Sequence, residues 1–355
     1  MTIEELSTGT DHERVLFCRD PQAGYRCVIA IHSTAAGPAA GGTRFWSYAS
    51  EEAAVEDALR LSRGMTYKNA VAGLPLGGGK SVILRDGGAV DREAIFRAHG
   101  RFIERLGGVY MTGEDVGTTL TDMQIVRSET KHVAGVTGDP SPFTARGVVR
   151  AMRAAALHRW GSDDLTGRTV AIQGCGSVGF HLAGELHAAG ARLVVTDIDP
   201  ERVRRTVESS AARAVPPEEI YDAEADVFAP CALGGILNAG TIPRLRVEIV
   251  DGAANNQLLE KEDGEHLEAR GILYAPDYVA NAGGVLVLAG REVLGWSDEA
   301  VLERTERIYD TMLEVLRLAG DQGVSPHVAA DRLAEQRLEA LRRETGGAQH
   351  AAPLS

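Results

Sequence analysis

The first 136 residues alternate between strand-like and helix-like spacing of hydrophobic positions. An alternating apolar run at Arg26–Ile31 predicts a strand, and two more strands are predicted at Val82–Leu84 and Val109–Thr112. Apolar residues recur at helical spacing over Glu51–Arg63 and over Arg92–Leu106. The first part of the chain is therefore expected to form an α/β domain.

The rest of the chain repeats a strand–helix pattern. Turn-forming residues at Thr137–Pro142 mark a candidate domain boundary, and a helix is predicted over about Phe143–Arg159. Strands are then predicted at Thr169–Gln173, Arg192–Thr196, Val227–Ala229, Ile249–Val250 and Ile272–Ala275, with a helix at Phe180–Ala189 after the first of them. This alternation is typical of a parallel, doubly wound sheet covered by helices on both faces. From Asp298 to about Arg343 the pattern is helical.

Charge and composition narrow the classes of partner. The net charge is −13 and no local basic stripe is present, so a nucleic-acid partner is not expected. No apolar run reaches the roughly 18 residues of a membrane span, and the acidic start lacks the features of a signal peptide. The four cysteines are too scattered for a metal site or a disulfide framework. We therefore expect a cytoplasmic protein that needs no metal.

A glycine-rich turn in the second part has the pattern of a dinucleotide site. Gly174, Gly176 and Gly179 form G-x-G-x-x-G between a predicted strand and a predicted helix, and a second strand ends in Asp197. In this pattern the glycines allow the tight turn, the approach of a pyrophosphate and close packing of helix on strand. Asp197 would accept hydrogen bonds from the ribose hydroxyls and repel a 2′-phosphate, which favours NAD over NADP. The alternative is a structural turn that binds no ligand.

Two lysines and one aspartate of the first part stand in glycine-rich or apolar segments. Lys80 follows a predicted glycine loop, Gly77–Gly79, where the absence of side chains would let a small substrate approach the backbone. Leu74 occupies the place where a P-loop needs glycine, which argues against an ATP-using enzyme. Lys68 and Asp115 lie in the segments Gly64-Met-Thr-Tyr-Lys-Asn-Ala and Thr-Gly-Glu-Asp-Val-Gly. Any one of these lysines could be a solvated surface charge. Together they indicate a site in which a second cation and partial burial lower the pKa of Lys80, so that it can serve as a base.

Six segments, in order along nearly the whole chain, resemble the Glu/Leu/Phe/Val dehydrogenase family. They are Ala39-Ala-Gly-Gly-Thr-Arg44, Met65-Thr-Tyr-Lys-Asn69, Gly77-Gly-Gly-Lys80, Thr112-Gly-Glu-Asp-Val-Gly117, Gly252-Ala-Ala-Asn-Asn256 and Tyr274-Ala-Pro-Asp-Tyr-Val-Ala-Asn-Ala-Gly-Gly284. The resemblance implies an amino-acid dehydrogenase that uses NAD to deaminate its substrate reversibly to a 2-oxo acid and ammonia.

The resemblance also assigns roles to individual residues. It makes Lys80 the catalytic base, and Asp115 the group that shuttles protons to the departing amine. Lys68 would bind the substrate carboxylate, helped by the backbone at Gly41 and Gly42, with Met65 nearby. The expected cofactor-binding residues are Gly174, Gly176, Ser177, Val178, Gly179, Asp197, Arg202, Ala232, Asn255, Ser141 and Thr144.

The resemblance further implies two domains separated by a cleft. An N-terminal α/β domain, 1–136, would bind substrate and mediate oligomerisation, with a C-terminal helix at 325–345 packing back on it. A Rossmann-type, doubly wound domain, 137–324, would bind NAD. We expect a homo-oligomer, and a disordered tail at 346–355, where small residues dominate.

The choice of substrate depends on apolar positions that resemble the specificity determinants of the family. These are Ala40, Gly113, Val285 and Leu288. Leucine- and valine-type members usually carry Leu in place of Ala40 and Ala in place of Gly113, so both residues are expected to leave more room beside the substrate. The run ending at Trp296 resembles actinobacterial phenylalanine dehydrogenases, whereas other segments are equally similar to valine dehydrogenases. We predict L-phenylalanine, converted to phenylpyruvate, with L-valine or L-leucine as the alternative.

Overall fold

A computed structural model of the chain describes residues 1–6, 9–85, 91–136 and 138–344. It divides into two compact units. The first contains the described residues up to Gly138 and those from Ala334 onward, and the second spans Asp139–Leu333. The expected disordered tail, 346–355, lies outside the described residues, as do residue 345 and the predicted boundary at Thr137.

The first unit is built on one mixed sheet of seven strands. The strands are β1 (Thr2–Glu5), β2 (Arg14–Asp20), β3 (Tyr25–Ser33), β4 (Ala39–Ala40), β5 (Thr43–Trp46), β6 (Gly77–Leu84) and β7 (Tyr110–Met111). Their order is β1-β2-β3-β6-β4-β7, with β5 also paired to β6. Pairing is antiparallel from β1 to β6 and parallel among β4, β5, β6 and β7.

Three helices cover the two faces of this sheet. They are α1 (Glu51–Val71), α2 (Arg92–Arg105) and α3 (Leu120–Arg127). Because side chains alternate along a strand, Val28 and Ala30 of β3 pack with Ala54 and Ala58 of α1 on one face. Ile29 and its alternating neighbours pack with α2 and α3 on the other face. Both faces are apolar, so β3 and β6 are buried along almost their whole length.

The second unit is a parallel six-stranded sheet of the doubly wound type that the sequence predicts. Its strands are β8 (Thr169–Gln173), β9 (Arg192–Thr196), β10 (Arg213–Ala214), β11 (Val227–Pro230), β12 (Ile249–Val250) and β13 (Leu273–Tyr274). Their order is β10-β9-β8-β11-β12-β13. The chain adds β9 and β10 on one side of β8 and then β11, β12 and β13 on the other, so the direction of strand addition reverses at β8. In such sheets ligands bind outside the carboxyl ends of the strands, where the order reverses. The glycine turn follows β8 and so lies at this point.

Eight α-helices of the described residues lie wholly within the second unit. They are α4 (Ser141–Trp160), α5 (Ser177–Ala188), α6 (Pro200–Ser210), α7 (Asp263–Ala269), α8 (Asp277–Ala280), α9 (Gly283–Glu292), α10 (Asp298–Glu306) and α11 (Ile308–Gln322), with 3₁₀ turns at Pro217–Asp222 and Ile242–Arg244. None of the described helices is both long and apolar enough to cross a membrane.

The last helix, α12 (Pro326–Glu344), belongs to both units. Its first turns cluster with the second unit, where Tyr278 donates a hydrogen bond to Asp331 at 2.8 Å. Its later turns cluster with the first unit, where Tyr67 donates to Glu335 at 2.7 Å. The resemblance instead implies that the whole of 325–345 packs on the first domain. The difference arises because hydrogen-bond partners on α12 are divided between the two units.

Candidate active site

Lys80 lies in the middle of β6, a strand with every residue buried. Its side chain points to the face of the sheet that carries α1, the same face as Gly78 and Val82, because strand residues two apart share a face. Only 4% of Lys80 is exposed. A lysine is almost never buried to this degree unless its charge has a partner.

That partner is Asp115, in the loop after β7. Lys80 Nζ lies 3.1 Å from Asp115 Oδ2. Arg44, at the start of β5, donates from Nε to the same oxygen at 3.0 Å. Two cations therefore converge on one carboxylate oxygen, and this close group joins residues from three separate segments of the chain.

The pKa values of Lys80 and Asp115 are both lowered in this group, which favours a neutral amine beside an ionised carboxylate. Burial lowers the pKa of Lys80 and the nearby charge of Arg44 lowers it further, while Asp115 opposes the change in part. Burial alone would raise the pKa of Asp115, but the charges of Lys80 and Arg44 outweigh it and the pKa is lowered. The arrangement suits proton transfer by an amine next to an ionised carboxylate.

The glycine triplet before Lys80 is part of β6 and not the loop that the sequence predicts. The sequence predicts that these glycines give a substrate room near the backbone. The three side-chain directions are instead occupied by the Ser33 carbonyl at Gly77, by Thr66 of α1 at Gly78 and by the Tyr110 ring at Gly79. The glycines are needed because α1 and Tyr110 pack directly on the strand.

Gly41 and Gly42, whose backbone the resemblance places beside the substrate carboxylate, border the same group. Lys68 and Met65 are half-buried on α1. A Cβ atom at Gly41 would lie 3.0 Å from Met65 Cγ and 1.9 Å from the Gly79 carbonyl, and one at Gly42 would lie 2.9 Å from Asp115 Cβ. Gly41 and Gly42 thus lie between α1 and Asp115, beside the strand that carries Lys80.

The predicted specificity residues are divided between the units. Ala40 ends β4 and is half-buried, while Val285 and Leu288 are half-buried at i and i+3 on one face of α9. At Gly113 the structure differs from the expectation of empty space beside a substrate. A Cβ atom there would lie 3.2 Å from the carbonyl oxygen of Ala134, so the missing methyl group faces backbone. Gly113 therefore gives no support to a larger substrate.

The second unit builds a glycine turn whose three glycines differ in their surroundings. Gly174 has φ +104°, a conformation that side chains disfavour. A Cβ atom at Gly179 would lie 1.9 Å from the carbonyl oxygen of Gly174, so this glycine allows α5 to pack on β8. A Cβ atom at Gly176 would meet nothing within 4 Å. Open space at the second glycine, directly before the amino end of α5, fits an approaching pyrophosphate.

Asp197 directly follows β9 and is anchored to this turn. Its Oδ2 accepts from the Cys175 N–H at 2.7 Å and its Oδ1 from the Asp199 N–H at 2.9 Å. The carboxylate is therefore held at the position where an acidic residue meets the ribose in this type of fold.

The start of α4 is tied to the glycine turn. Ser177 donates to Asp139 Oδ2 at 3.0 Å, and the N–H of Ser141 donates to Asp139 Oδ1 at 2.9 Å. Thr144, one turn further along α4, lies against Gly284 at the start of α9. Ser141 and Thr144 are both buried. The predicted cofactor residues of α4 and α5 are thus linked through one carboxylate.

Four other predicted cofactor residues lie at the same edge of the sheet. Ala232 borders Gly174, with its N and Cβ 2.9 Å from the Cβ position of that glycine. Asn255 accepts from Asn281 at 2.9 Å. Val178 is half-buried in the first turn of α5, and Arg202 is exposed on α6. A cavity of about 460 Å³ opens here, lined by Gly176, Ser177, Phe180, His181, Arg202 and Arg205. The residues present fit a dinucleotide with a negatively charged pyrophosphate.

The sequence does not predict the positions of Arg44, Asp57 and Arg205 in these sites. Arg44 closes the segment Ala39–Arg44 that carries the family resemblance, so its place in a shared motif is the available signal. Asp57 accepts from Arg44 Nη1 at 2.8 Å but looks like an ordinary exposed helix residue in sequence. No group of three or more His, Cys, Asp or Glu side chains in the described ranges could hold a metal ion.

Comparisons with known proteins identify the class of this protein. Residues 12–132 match the Glu/Leu/Phe/Val dehydrogenase dimerisation domain, and residues 197–346 match the glutamate/leucine/phenylalanine/valine dehydrogenase domain. The chain belongs to this family and is an NAD-dependent amino-acid dehydrogenase.

Individual relatives carry more specific names. Leucine dehydrogenase from Geobacillus stearothermophilus is 53% identical over 94% of this chain and 92% of its own length. Valine dehydrogenase from Streptomyces coelicolor is 48% identical over 93% of each chain. The crystal structure of L-tryptophan dehydrogenase from Nostoc punctiforme has a TM-score of 0.85 at 45% identity, covering 94% of this chain and 97% of that one.

These relatives confirm the family, the two-domain α/β fold and the cofactor, but not the predicted substrate. Leucine and valine dehydrogenases favour the branched-chain alternative over phenylalanine. The prediction of phenylalanine depends partly on space at Gly113, which the Ala134 carbonyl fills.

Proposed function

We propose that this dehydrogenase deaminates branched-chain L-amino acids, L-leucine foremost and L-valine next, to the 2-oxo acid and ammonia in a reversible reaction. The observation that carries the chemistry is the buried contact of Lys80 with Asp115, 3.1 Å long, in which the pKa of the lysine is lowered. The relatives named leucine and valine dehydrogenase support the choice of substrate.

Lys80 is the base in this proposal. A lysine whose pKa is lowered by burial and by Arg44 has a larger neutral fraction near neutral pH than a free lysine. Its neutral amine removes a proton from the substrate ammonium. Lys80 then passes this proton to Asp115, 3.1 Å away, and its neutral amine can take a second proton from the water molecule that attacks the substrate imine. In both steps the proton is accepted by Lys80 Nζ, which lies on the α1 side of β6.

Asp115 moves protons on the nitrogen side of the substrate. NAD held by the second unit would supply the acceptor for the hydride of the substrate Cα. Asp115, kept ionised by Lys80 and Arg44, can receive a proton and pass it to the amine that leaves the carbinolamine. Ammonia and the 2-oxo acid are then released.

Lys68 pairs the substrate carboxylate, with the backbone at Gly41 and Gly42 beside it. This proposal rests on the position of Lys68 on α1, next to Met65, whose side chain borders Gly41. Ala40 of the first unit is proposed to contact the apolar side chain of the substrate, and Val285 and Leu288 of the second unit keep their predicted role in specificity. Aliphatic contacts of this kind suit leucine and valine.

The second unit binds NAD through the glycine turn in this proposal. Gly176 leaves room for the pyrophosphate at the amino end of α5, with Ser177, Val178 and Ala232 around it. Asp197 faces the ribose and selects against a 2′-phosphate. The further cofactor contacts are Gly174, Gly179, Arg202, Asn255, Ser141 and Thr144.

We further propose a homo-oligomer, assembled through the first unit. The support is the match of residues 12–132 to a domain described as a dimerisation domain. A cytoplasmic location stays a prediction from the sequence.

The test is a panel of amino acids with either cofactor, monitored by NADH or NADPH absorbance. We expect kcat/KM to be highest for L-leucine, with L-valine next and L-phenylalanine and L-tryptophan lower by roughly tenfold or more. NAD should be strongly preferred to NADP. Highest activity with phenylalanine would contradict the substrate proposal, and equal use of both cofactors would contradict the role of Asp197.

A further inference from the structure

Arg44 bridges two carboxylates that come from different elements. Its Nε donates to Asp115 Oδ2 at 3.0 Å and its Nη1 donates to Asp57 Oδ2 at 2.8 Å. Lys80 approaches the same Oδ2 atom of Asp115. No hydrogen bond from the described residues reaches Asp115 Oδ1. Oδ2 is therefore held by Arg44 and Lys80, while Oδ1 can exchange a proton with a substrate.

Asp57 is itself held in place on α1. Arg60 donates to its Oδ1 at 2.8 Å, and Tyr48 donates to its Oδ2 at 2.5 Å. Asp57 is 11 residues before Lys68 on α1. Since 11 residues are close to three full turns at about 3.6 residues per turn, Asp57 and Lys68 lie on the same face of the helix. Arg44 thus connects Asp115 to the helix face that presents Lys68.

The charges of Arg44 and Asp57 act on Lys80 in opposite directions. Arg44 lowers the pKa of Lys80, and Asp57 raises it. Arg44 also lowers the pKa of Asp115. Removing the two charges should therefore shift the titration of Lys80 in opposite directions.

We propose that Arg44 and Asp57 are a positioning pair for this reaction, in which Arg44, anchored to α1 through Asp57, holds Asp115 Oδ2 against Lys80 Nζ and leaves Asp115 Oδ1 for the substrate nitrogen. The inference rests on the roles proposed above for Lys80 and Asp115. It adds two residues that act through them without touching the substrate.

The test compares the pH profiles of kcat/KM of Arg44→Gln and Asp57→Asn with that of the wild type. The rising limb reports the essential base, and its midpoint should move to higher pH in Arg44→Gln and to lower pH in Asp57→Asn. At a pH below the midpoint, moving the midpoint by one pH unit changes the rate about tenfold. In Arg44→Gln, kcat should also fall by roughly 100-fold, because misplacing a catalytic group by about 1 Å costs that much.

Two further variants separate charge from geometry. Arg44→Lys keeps the cation but cannot bridge two carboxylates with a planar fork, so its midpoint should stay near that of the wild type while kcat falls. Arg97→Gln removes a surface cation that pairs with Glu93 on α2, where the Arg97 side chain is 42% exposed, and should leave the profile unchanged. NAD affinity, a property of the second unit, should be the same in all four variants.

The inference is overturned if Arg44→Gln and Asp57→Asn shift the midpoint in the same direction or not at all. Should Arg44→Gln fail to fold, the downward shift in Asp57→Asn decides by itself, since that change is nearly isosteric. Failure of the proposed function is distinguished by Lys80→Ala. If Lys80→Ala keeps full activity, the proposed base is wrong. If Lys80→Ala is inactive while Arg44→Gln and Asp57→Asn keep the wild-type midpoint of the pH profile, only the inference about Arg44 and Asp57 is wrong.

Discussion

Gly78→Ala tests why the segment before Lys80 consists of glycines. A Cβ atom at Gly78 would lie 2.1 Å from both the amide nitrogen and Oγ1 of Thr66 and 2.5 Å from its Cα. These separations are about 1 Å or more short of the roughly 3.5 Å at which carbon atoms make favourable contact. Since the atoms belong mainly to the backbone of α1, the helix must move away from β6 as a body.

The expected cost has two parts. Overpacking of this kind destabilises a protein by about 1–3 kcal/mol, and a clash with helix backbone places Gly78→Ala at the upper end of that range. Lys68 is two residues beyond Thr66 on the same helix, so it moves with α1. A displacement of about 1 Å should then lower kcat/KM by roughly 100-fold.

The measurements are the free energy of unfolding in denaturant and kcat/KM with the preferred amino acid. Gly64→Ala is the matched control, because Gly64 lies on the same helix with nothing within 4 Å of its Cβ position. It should gain about 0.5–1 kcal/mol. If Gly78→Ala keeps wild-type stability and only KM rises, the glycines serve substrate access and the packing explanation is refuted.

Two further predictions concern the cofactor site and the core. Gly176→Ala should keep the stability of the wild type but weaken NAD binding by roughly tenfold or more, whereas Gly179→Ala, with its Cβ 1.9 Å from a carbonyl oxygen, should destabilise the second unit by about 1–3 kcal/mol. Calorimetric binding and thermal melting distinguish the two variants. An unchanged NAD affinity in Gly176→Ala would contradict the pyrophosphate position. Burial lowers the pKa of His99 to about 3, so the buried neutral ring contributes its full stability above about pH 6.5 and loses it as pH falls from about 6.5 towards 3. The free energy of unfolding, measured across this window, should fall with decreasing pH, and the slope should be smaller in His99→Gln. An equal slope in both proteins would contradict this prediction.

The sequence predicts the cofactor unit well because its signals are local. The strands at Thr169–Gln173 and Arg192–Thr196 have the same bounds in the structure, and the glycine turn lies between β8 and α5. The helix predicted at Glu51–Arg63 continues to Val71, although Gly64 is a poor helix former. Burial of the following turns against β6 outweighs that local preference, and it is this extension that carries Lys68.

The parts that the sequence does not predict depend on contacts between distant segments. Glycine has a low preference for strands, so the sequence predicts a loop at Gly77–Gly79, and only the packing of Thr66 and Tyr110 explains a strand there. Arg44 and Asp57 are on different elements, and nothing in their local sequence shows that they meet. The direction in which Gly113 lacks a side chain is likewise a property of the folded chain alone.

The central claim is that a buried lysine next to Asp115 is the base of an amino-acid dehydrogenase, and Lys80→Ala tests it most directly. The measurement is the rate of NADH formation with L-leucine at saturating NAD, together with NAD affinity by calorimetry. The account predicts unchanged NAD affinity and a rate lower by roughly 100-fold or more, the order expected when a general base is removed. A variant that forms NADH at nearly the wild-type rate at high pH would contradict it.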